Sequence, residues 1–220
     1  MTEFTPNLFV ALGAGLVFGL LLLAVITTTS FVKISVVLFL LRNALGVQQA
    51  PPNIVLYAIA LILTVFITLP LGRDVYAAAA PELGTAQHHT FAEWERVAER
   101  AAEPVRAHLE RFSTQRERTF FLGAAERLWP EDMRGDAAED GLTVLVPSFL
   151  LGELKRAFET GFLLYLPFVV IDLAITTILI AMGLSQVQPT SISVPMKLLL
   201  FVLVEGWTRL LHSLVLSYVV

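Results

Sequence analysis

Five ionisable side chains stand inside otherwise apolar stretches of this 220-residue sequence: Lys33, Asp172, Lys197, Glu205 and Arg209. Carrying a charge into hydrocarbon costs about 2.5–3.5 kcal/mol on insertion scales, so each is expected to face protein or water rather than lipid. Two chemistries follow from their types. Carboxylates within a membrane can relay protons, and Asp172 with Glu205 would be the pair to do so. Glu205 and Arg209 are four apart with the acid first, the favourable order for an ion pair on one helix face. Such a pair would fix packing within the chain or across an interface. Other chemistries find little support. The absence of cysteine excludes disulfides and thiolate metal sites. His88 and His89 sit in a polar loop without further ligands at helical or hairpin spacing. An enzyme built on His212 and Glu205 has no accompanying motif. Gly13 and Gly15 lie in an apolar helix, without the strand–turn–helix context of a dinucleotide loop. No cofactor is expected.

The elements that must position these residues are themselves apolar. Hydrophobic residues make up 56% of the chain and charged residues only 15%, with a mean hydropathy of +0.73. These values belong to membrane proteins or assemblies extracted from membranes, not to an ordinary soluble domain. The net charge of −4 argues against a nucleic-acid partner, which would demand clustered Lys and Arg. Of the 15 Lys and Arg and 19 Asp and Glu, ten and sixteen fall between Asp74 and Glu159. One charged, alanine-rich insert therefore separates two hydrophobic halves. The expected fold is all-α, with helical hairpins over 1–73 and 158–220 and a mostly helical insert over 74–157.

The first apolar run, Leu8 to Leu41, would be about 50 Å long as a single helix, against a hydrocarbon core of about 30 Å. The hydroxyl cluster Thr27–Ser30 predicts a bend, because Ser and Thr can bond back to helix carbonyls. A secretory signal peptide is a poor reading of this run, since Glu3 is the only charge before Lys33. RNALGVQQAPPN, residues 42–53, predicts a tight connection in which Gly46 ends one helix and Pro51-Pro52 starts the next. The second run, Ile54 to Leu71, carries no charge and is expected to close at Pro70, Gly72 and Arg73. In the insert, Phe91, Trp94, Ala101, Val105, Leu109 and Phe112 recur at helical steps, with a kink expected near Pro104. A second helical piece spans Thr119 to Trp129, and Pro130 to Gly141 reads as an acidic loop. From Pro147 an amphipathic helix becomes wholly apolar between Gly161 and Leu184, breaks at Gln188-Pro189 and Val194-Pro195, and resumes as a charged apolar run. Arg42 and Lys197 flank the two short connections, which predicts that both face the cytoplasm, with Lys197 near the cytoplasmic end of its segment. Both termini and the insert would then lie outside.

Three long segments carry a family resemblance: SFVKISVVLFLLRNALGVQQAPPN (Ser30 to Asn53), PSFLLGELKRAFETGFLLYLPFVVID (Pro147 to Asp172) and TSISVPMKLLLFVLVEGW (Thr190 to Trp207). Together with the two hydrophobic halves around a charged insert, they resemble the core export-gate family of type III secretion, called SctR in injectisomes and FliP in flagella. The insert itself adds nothing to the match. Glu-Gly-Trp at 205–207 and the lack of a leader are more like the injectisome branch.

The resemblance implies a ring of five copies. SctS-like and SctT-like subunits would join it and an SctU-like switch protein would adjoin it, forming the entry portal for unfolded exported proteins. It implies an inner-membrane location, contact with membrane lipid, and much of the assembly on the periplasmic side. Charges too costly for lipid would then be buried against other subunits. The family usually carries a run of methionines between the last two hydrophobic runs, where they form a soft gasket at the narrowest point. Here only Met182 is present, and Leu184, Gln186 and Val187 stand where the run is expected. These four residues are the candidates for the pore constriction, since an apolar ring can block ions by dewetting. The alternatives are a seal supplied by a partner subunit and, for the whole chain, a proton-coupled secondary transporter or a flagellar export-gate subunit. Transporters usually show internal repeats, and the two halves here are not alike.

Overall fold

The computed structural model describes residues 4–47, 49–85, 90–184 and 186–219. His88, His89 and Ser185 lie outside the described residues. Among those described there is no strand, and eight α-helices follow in order. They are α1 (Phe4–Thr28), α2 (Phe31–Leu45), α3 (Asn53–Thr85), α4 (Phe91–Phe112), α5 (Gln115–Leu128), α6 (Leu142–Ala181), α7 (Thr190–Leu203) and α8 (Gly206–Leu216), with a 3₁₀ turn at Arg134–Asp136. The chain forms two compact units, Met1–Ser30 with Leu71–Gly152 and Phe31–Pro70 with Glu153–Val220.

The first unit holds the charged insert. Its helices start on local signals: the Thr90 N–H donates to Glu93 Oε2 at 2.9 Å ahead of α4, and Thr114 Oγ1 accepts from the Glu117 N–H ahead of α5. Pro104 sits within α4 without ending it. A small core gathers Leu109, Leu145 and Phe149, with Val105 and Phe112 against it. At the other end of the same helical stripe, Phe91 and Trp94 are exposed. The apolar helix α1 also belongs here. At its end the Thr27 hydroxyl donates to Leu23 O at 2.9 Å and the Thr28 hydroxyl to Ala24 O at 2.7 Å, and at the hydroxyl cluster, where a bend was expected, the helix stops at Thr28.

The second unit contains the main core. Ile34, Val37, Leu38, Leu41 and Leu45 of α2 pack with Leu56 and Ala60 of α3, Ala157 and Phe168 of α6, Phe201 of α7, and Leu210 and Leu214 of α8. The connection after α2 is fastened as its residues suggest. Gly46 takes φ +75°, a left-handed conformation that side chains resist, and Arg42 Nη1 donates to Asn53 Oδ1 at 2.5 Å across the turn. Gly161 lets α6 approach α2, because a Cβ there would run into the Leu40 side chain.

Three boundaries differ from the sequence reading. The break expected at Val194-Pro195 is absent, because Pro195 lies inside α7, which absorbs the loss of one backbone donor. The second apolar run does not close at Pro70, Gly72 and Arg73, because α3 continues through all three to Thr85. A proline removes one helical donor but need not stop a helix that good formers continue, and the alanines from Ala77 to Ala80 follow after Asp74, Val75 and Tyr76. The last apolar run is not one helix but two, α7 and α8, bent by 62°. Among the described residues, three helical stretches are long and apolar enough to cross a membrane, Ala11–Thr28, Asn53–Gly84 and Leu142–Ala181, and the bent pair α7–α8 makes a fourth if counted as one span.

Candidate functional site

Three of the five charges predicted to need partners, Lys33, Asp172 and Lys197, find them in two clusters, both within the second unit. Lys33, near the start of α2, is only 4% exposed. Its Nζ donates to Ser217 Oγ at 2.7 Å and lies 4.5 Å from the centroid of the Tyr218 ring. Ser217 in turn donates to Leu214 O at 2.6 Å, which holds the turn after α8 in place. The Tyr218 hydroxyl donates to Glu153 on α6. The other oxygen of that carboxylate accepts from Arg156 Nε at 3.0 Å and Nη2 at 2.6 Å. Glu153 is 1% exposed, and these three donors satisfy its buried oxygens. Burial, and then the adjacent Glu153 charge and hydrogen bond, push the Tyr218 phenol well above its ordinary range. Burial pushes Lys33 down, and the Glu153 charge opposes it.

Sequence reading singled out Lys33 but missed Glu153, Arg156, Ser217 and Tyr218. Glu153 and Arg156 fall in the stretch from Pro147 read only as an amphipathic helix, and their i,i+3 spacing was the local signal available. Nothing near Tyr218 in the sequence points to a residue 65 positions earlier.

The second cluster joins Asp172 of α6 to Lys197 of α7. Lys197 Nζ lies 2.5 Å from Asp172 Oδ2 and 3.1 Å from Ala44 O. Ala44 is in the last turn of α2, where carbonyls lack intrahelical partners and carry partial negative charge. One ammonium therefore neutralises a carboxylate and caps a helix end. Lys197 is 4% exposed, whereas the Asp172 side chain is 40% exposed, so the base is the deeply buried member.

Glu205 and Arg209 are not brought together as expected. Glu205 occupies the break between α7 and α8 with φ +53° and ψ +42°, the left-handed region. It therefore precedes the helix that carries Arg209 instead of sharing it. The Arg209 N–H donates to the Glu205 carbonyl at 3.1 Å, but no ion pair joins their side chains among the described residues, and both are exposed. Behind the bend, a Cβ on Gly206 would collide with the Phe201 ring, which makes glycine necessary where the two helices diverge. A cavity of about 480 Å³ lies beside this bend and is lined by α6, α7 and α8.

Met182, Leu184, Gln186 and Val187 form the turn between α6 and α7. Gly183 takes φ +74°, the Gly183 N–H donates to Ile180 O, and the Leu184 N–H donates to Leu179 O at 2.9 Å, a glycine-terminated helix end. The Val187 N–H donates back to Leu184 O at 3.1 Å. Met182, Leu184, Gln186 and Val187 are all exposed, with Met182 at 65%. Three apolar side chains at the tip of a turn face outward together.

A protein-family model described as the FliP family matches residues 16–214. The probable translocation protein y4yL of Sinorhizobium fredii is 54% identical over 219 residues, covering 99% of this chain and 97% of that protein. Yop proteins translocation protein R of Yersinia pestis is 46% identical over 202 residues, 90% and 91% of the two chains. The hypersensitivity response secretion protein HrcR of Ralstonia nicotianae is 44% identical over 200 residues, 91% and 92% of the two.

Proposed function

Because this chain belongs to the FliP family, we propose that it is a core subunit of the type III secretion export apparatus, in the injectisome branch, and helps to form the portal through which unfolded proteins are exported. The observation that carries this reading is the extent of the likeness. Relatives named as translocation and secretion proteins align across nine-tenths or more of this chain, so the similarity takes in the insert as well as both apolar halves. The protein is membrane-embedded and works with other secretion components, and its role is structural rather than catalytic. Five copies assemble in the inner membrane with SctS-like and SctT-like subunits, beside an SctU-like switch protein. Much of the assembly stands on the periplasmic side, the insert 74–157 with it, while the turns near Arg42 and Lys197 face the cytoplasm.

Within that ring the turn Met182–Val187 contributes the constriction. Its support is the exposure of Met182, Leu184 and Val187 on a turn that follows the left-handed Gly183. Exposed apolar groups cluster where a partner or a pore axis covers them. Lys33, Asp172 and Lys197 serve assembly from inside the subunit, by holding its helices in register. Glu205 and Arg209, exposed at the α7–α8 bend, are available to groups outside the chain.

Affinity purification of the chain with the products of its neighbouring genes, followed by mass measurement of the intact complex, tests the reading. A mass fitting five copies plus smaller membrane partners is expected, and a chain that purifies alone as a monomer or dimer would overturn it. In such complexes, replacing Leu184 and Val187 by Gly should raise ion leakage across the inner membrane while assembly persists. An assembled double variant as tight as the parent would move the seal to another subunit.

A further inference from the structure

The cavity beside the α7–α8 bend has no assigned occupant. Leu164, Pro167 and Phe168 of α6 form one wall, Leu200 and Phe201 of α7 another, and Arg209 of α8 also lines it. Its volume of about 480 Å³ is within the range of small-molecule sites. The bend creates it: α7 and α8 diverge by 62° at Glu205–Gly206, and the Phe201 ring, packed against Trp207 at 5.5 Å and Phe168 at 6.3 Å, closes the apex without filling the wedge.

Apart from the Thr160 and Ser213 hydroxyls and Arg209, the walls are apolar and hold water poorly. The surroundings name the available filler. Leu200 and Val204, which line it, are themselves exposed, so its opening is bordered by side chains suited to hydrocarbon. Arg209 supplies the second half of the argument. It lines an apolar cavity, it is exposed, and no carboxylate lies within ion-pair distance among the described residues. A planar guanidinium above an apolar slot matches a phosphate joined to an acyl chain, and basic pockets between membrane helices bind lipid headgroups in this way. A second copy of the chain fits less well. In their apolar halves, the carboxylates among the described residues are Glu159, Asp172 and Glu205, of which Glu159 already faces Lys155 and Asp172 is held by Lys197.

We propose that this cavity is a phospholipid site, with an acyl chain between α6 and the α7–α8 wedge and the phosphate on Arg209. The site rests on the chain being membrane-embedded and not on its place in a secretion apparatus. Trp207, against Phe201, is the reporter. With Trp94 and Trp129 replaced by Phe, it is the one tryptophan left among the three. The purified full-length chain in its complex is titrated with phosphatidylglycerol brominated on the acyl chain, whose bromines quench indole fluorescence on contact.

Saturable quenching is expected. Arg209→Ala should raise the half-quenching concentration about tenfold, the weight of one charge-assisted contact. Ser213→Phe, which fills the cavity but keeps Arg209, should abolish the quenching, and inorganic phosphate should not relieve it. Four results overturn the proposal. They are no saturable quenching in the parent, an Arg209→Ala curve equal to the parent's, full relief by inorganic phosphate, which would mean a free-anion site, and Arg209→Cys cross-linking into a neighbouring copy with quenching absent.

Discussion

In Glu153→Ala, the one carboxylate that Arg156 and the Tyr218 hydroxyl share is removed from a position 1% exposed. Breaking a buried ion pair by deleting one partner costs about 3–5 kcal/mol, because the remaining charge stays desolvated. The Arg156 side chain is 33% exposed and can turn partly to water, which draws the value toward the lower end. Lys33 cannot: it stays buried, and the nearby negative charge that opposed its desolvation is gone. Tyr218→Phe is the matched control. It keeps the ring beneath the Lys33 ammonium and the packing of the final turn, and loses only one hydrogen bond to a charged acceptor, about 1.5–3 kcal/mol. For a chain of this size each kcal/mol moves the melting temperature by about 2–4 °C. Glu153→Ala should therefore lower the midpoint by about 6–20 °C and Tyr218→Phe by about 3–12 °C, measured in detergent by intrinsic fluorescence. The reasoning fails if Glu153→Ala shifts the midpoint by less than about 2 °C, or if Tyr218→Phe costs as much as Glu153→Ala.

The Tyr218 phenol, held above its ordinary range by burial and by Glu153, should be missing from an ultraviolet titration of the folded protein near pH 10. Glu153→Gln should bring its ionisation down, with Tyr218→Phe as the difference blank, and an unchanged titration in Glu153→Gln would refute the cause. Asp172→Asn should cost about 1.5–3 kcal/mol, because Lys197 is the buried partner and loses its counter-charge. Lys197→Met should cost less, since the half-exposed Asp172 can take water, and the reverse order in thermal melts would show that burial has been assigned to the wrong member. Gly161→Ala should cost about 1–3 kcal/mol by pressing on Leu40. Adding Leu40→Ala should return at least half of that, a coupling that a double-mutant cycle on the same melts would register.

Much of the chain's local architecture was legible before any coordinates. The break after Thr28, the Gly46 turn, the amphipathic α4 and the amphipathic start of α6 all follow from signals within a few residues of one another. Helix geometry links positions three or four apart and turn conformation depends on one or two residues, so these features are written locally. The need for partners at Lys33, Asp172 and Lys197 was legible too, because the cost of an unpaired charge in an apolar stretch depends only on residue type.

The identity of those partners was not. Asp172 and Lys197 are 25 residues apart, Glu153 and Tyr218 are 65, and Lys33 and Ser217 are 184. Which of them meet is decided by how α2, α6, α7 and α8 pack, and periodicity within a single helix carries no record of that. The same holds where local signals conflict. Pro70 and Gly72 argued for an end to α3, while the helix formers beyond them argued for its continuation, and the helix continues. At Glu205 the spacing to Arg209 argued for one helix face. The sharp departure of α8 from α7, with Gly206 against the Phe201 ring, instead gave Glu205 the left-handed corner and sent the two charges to separate uses.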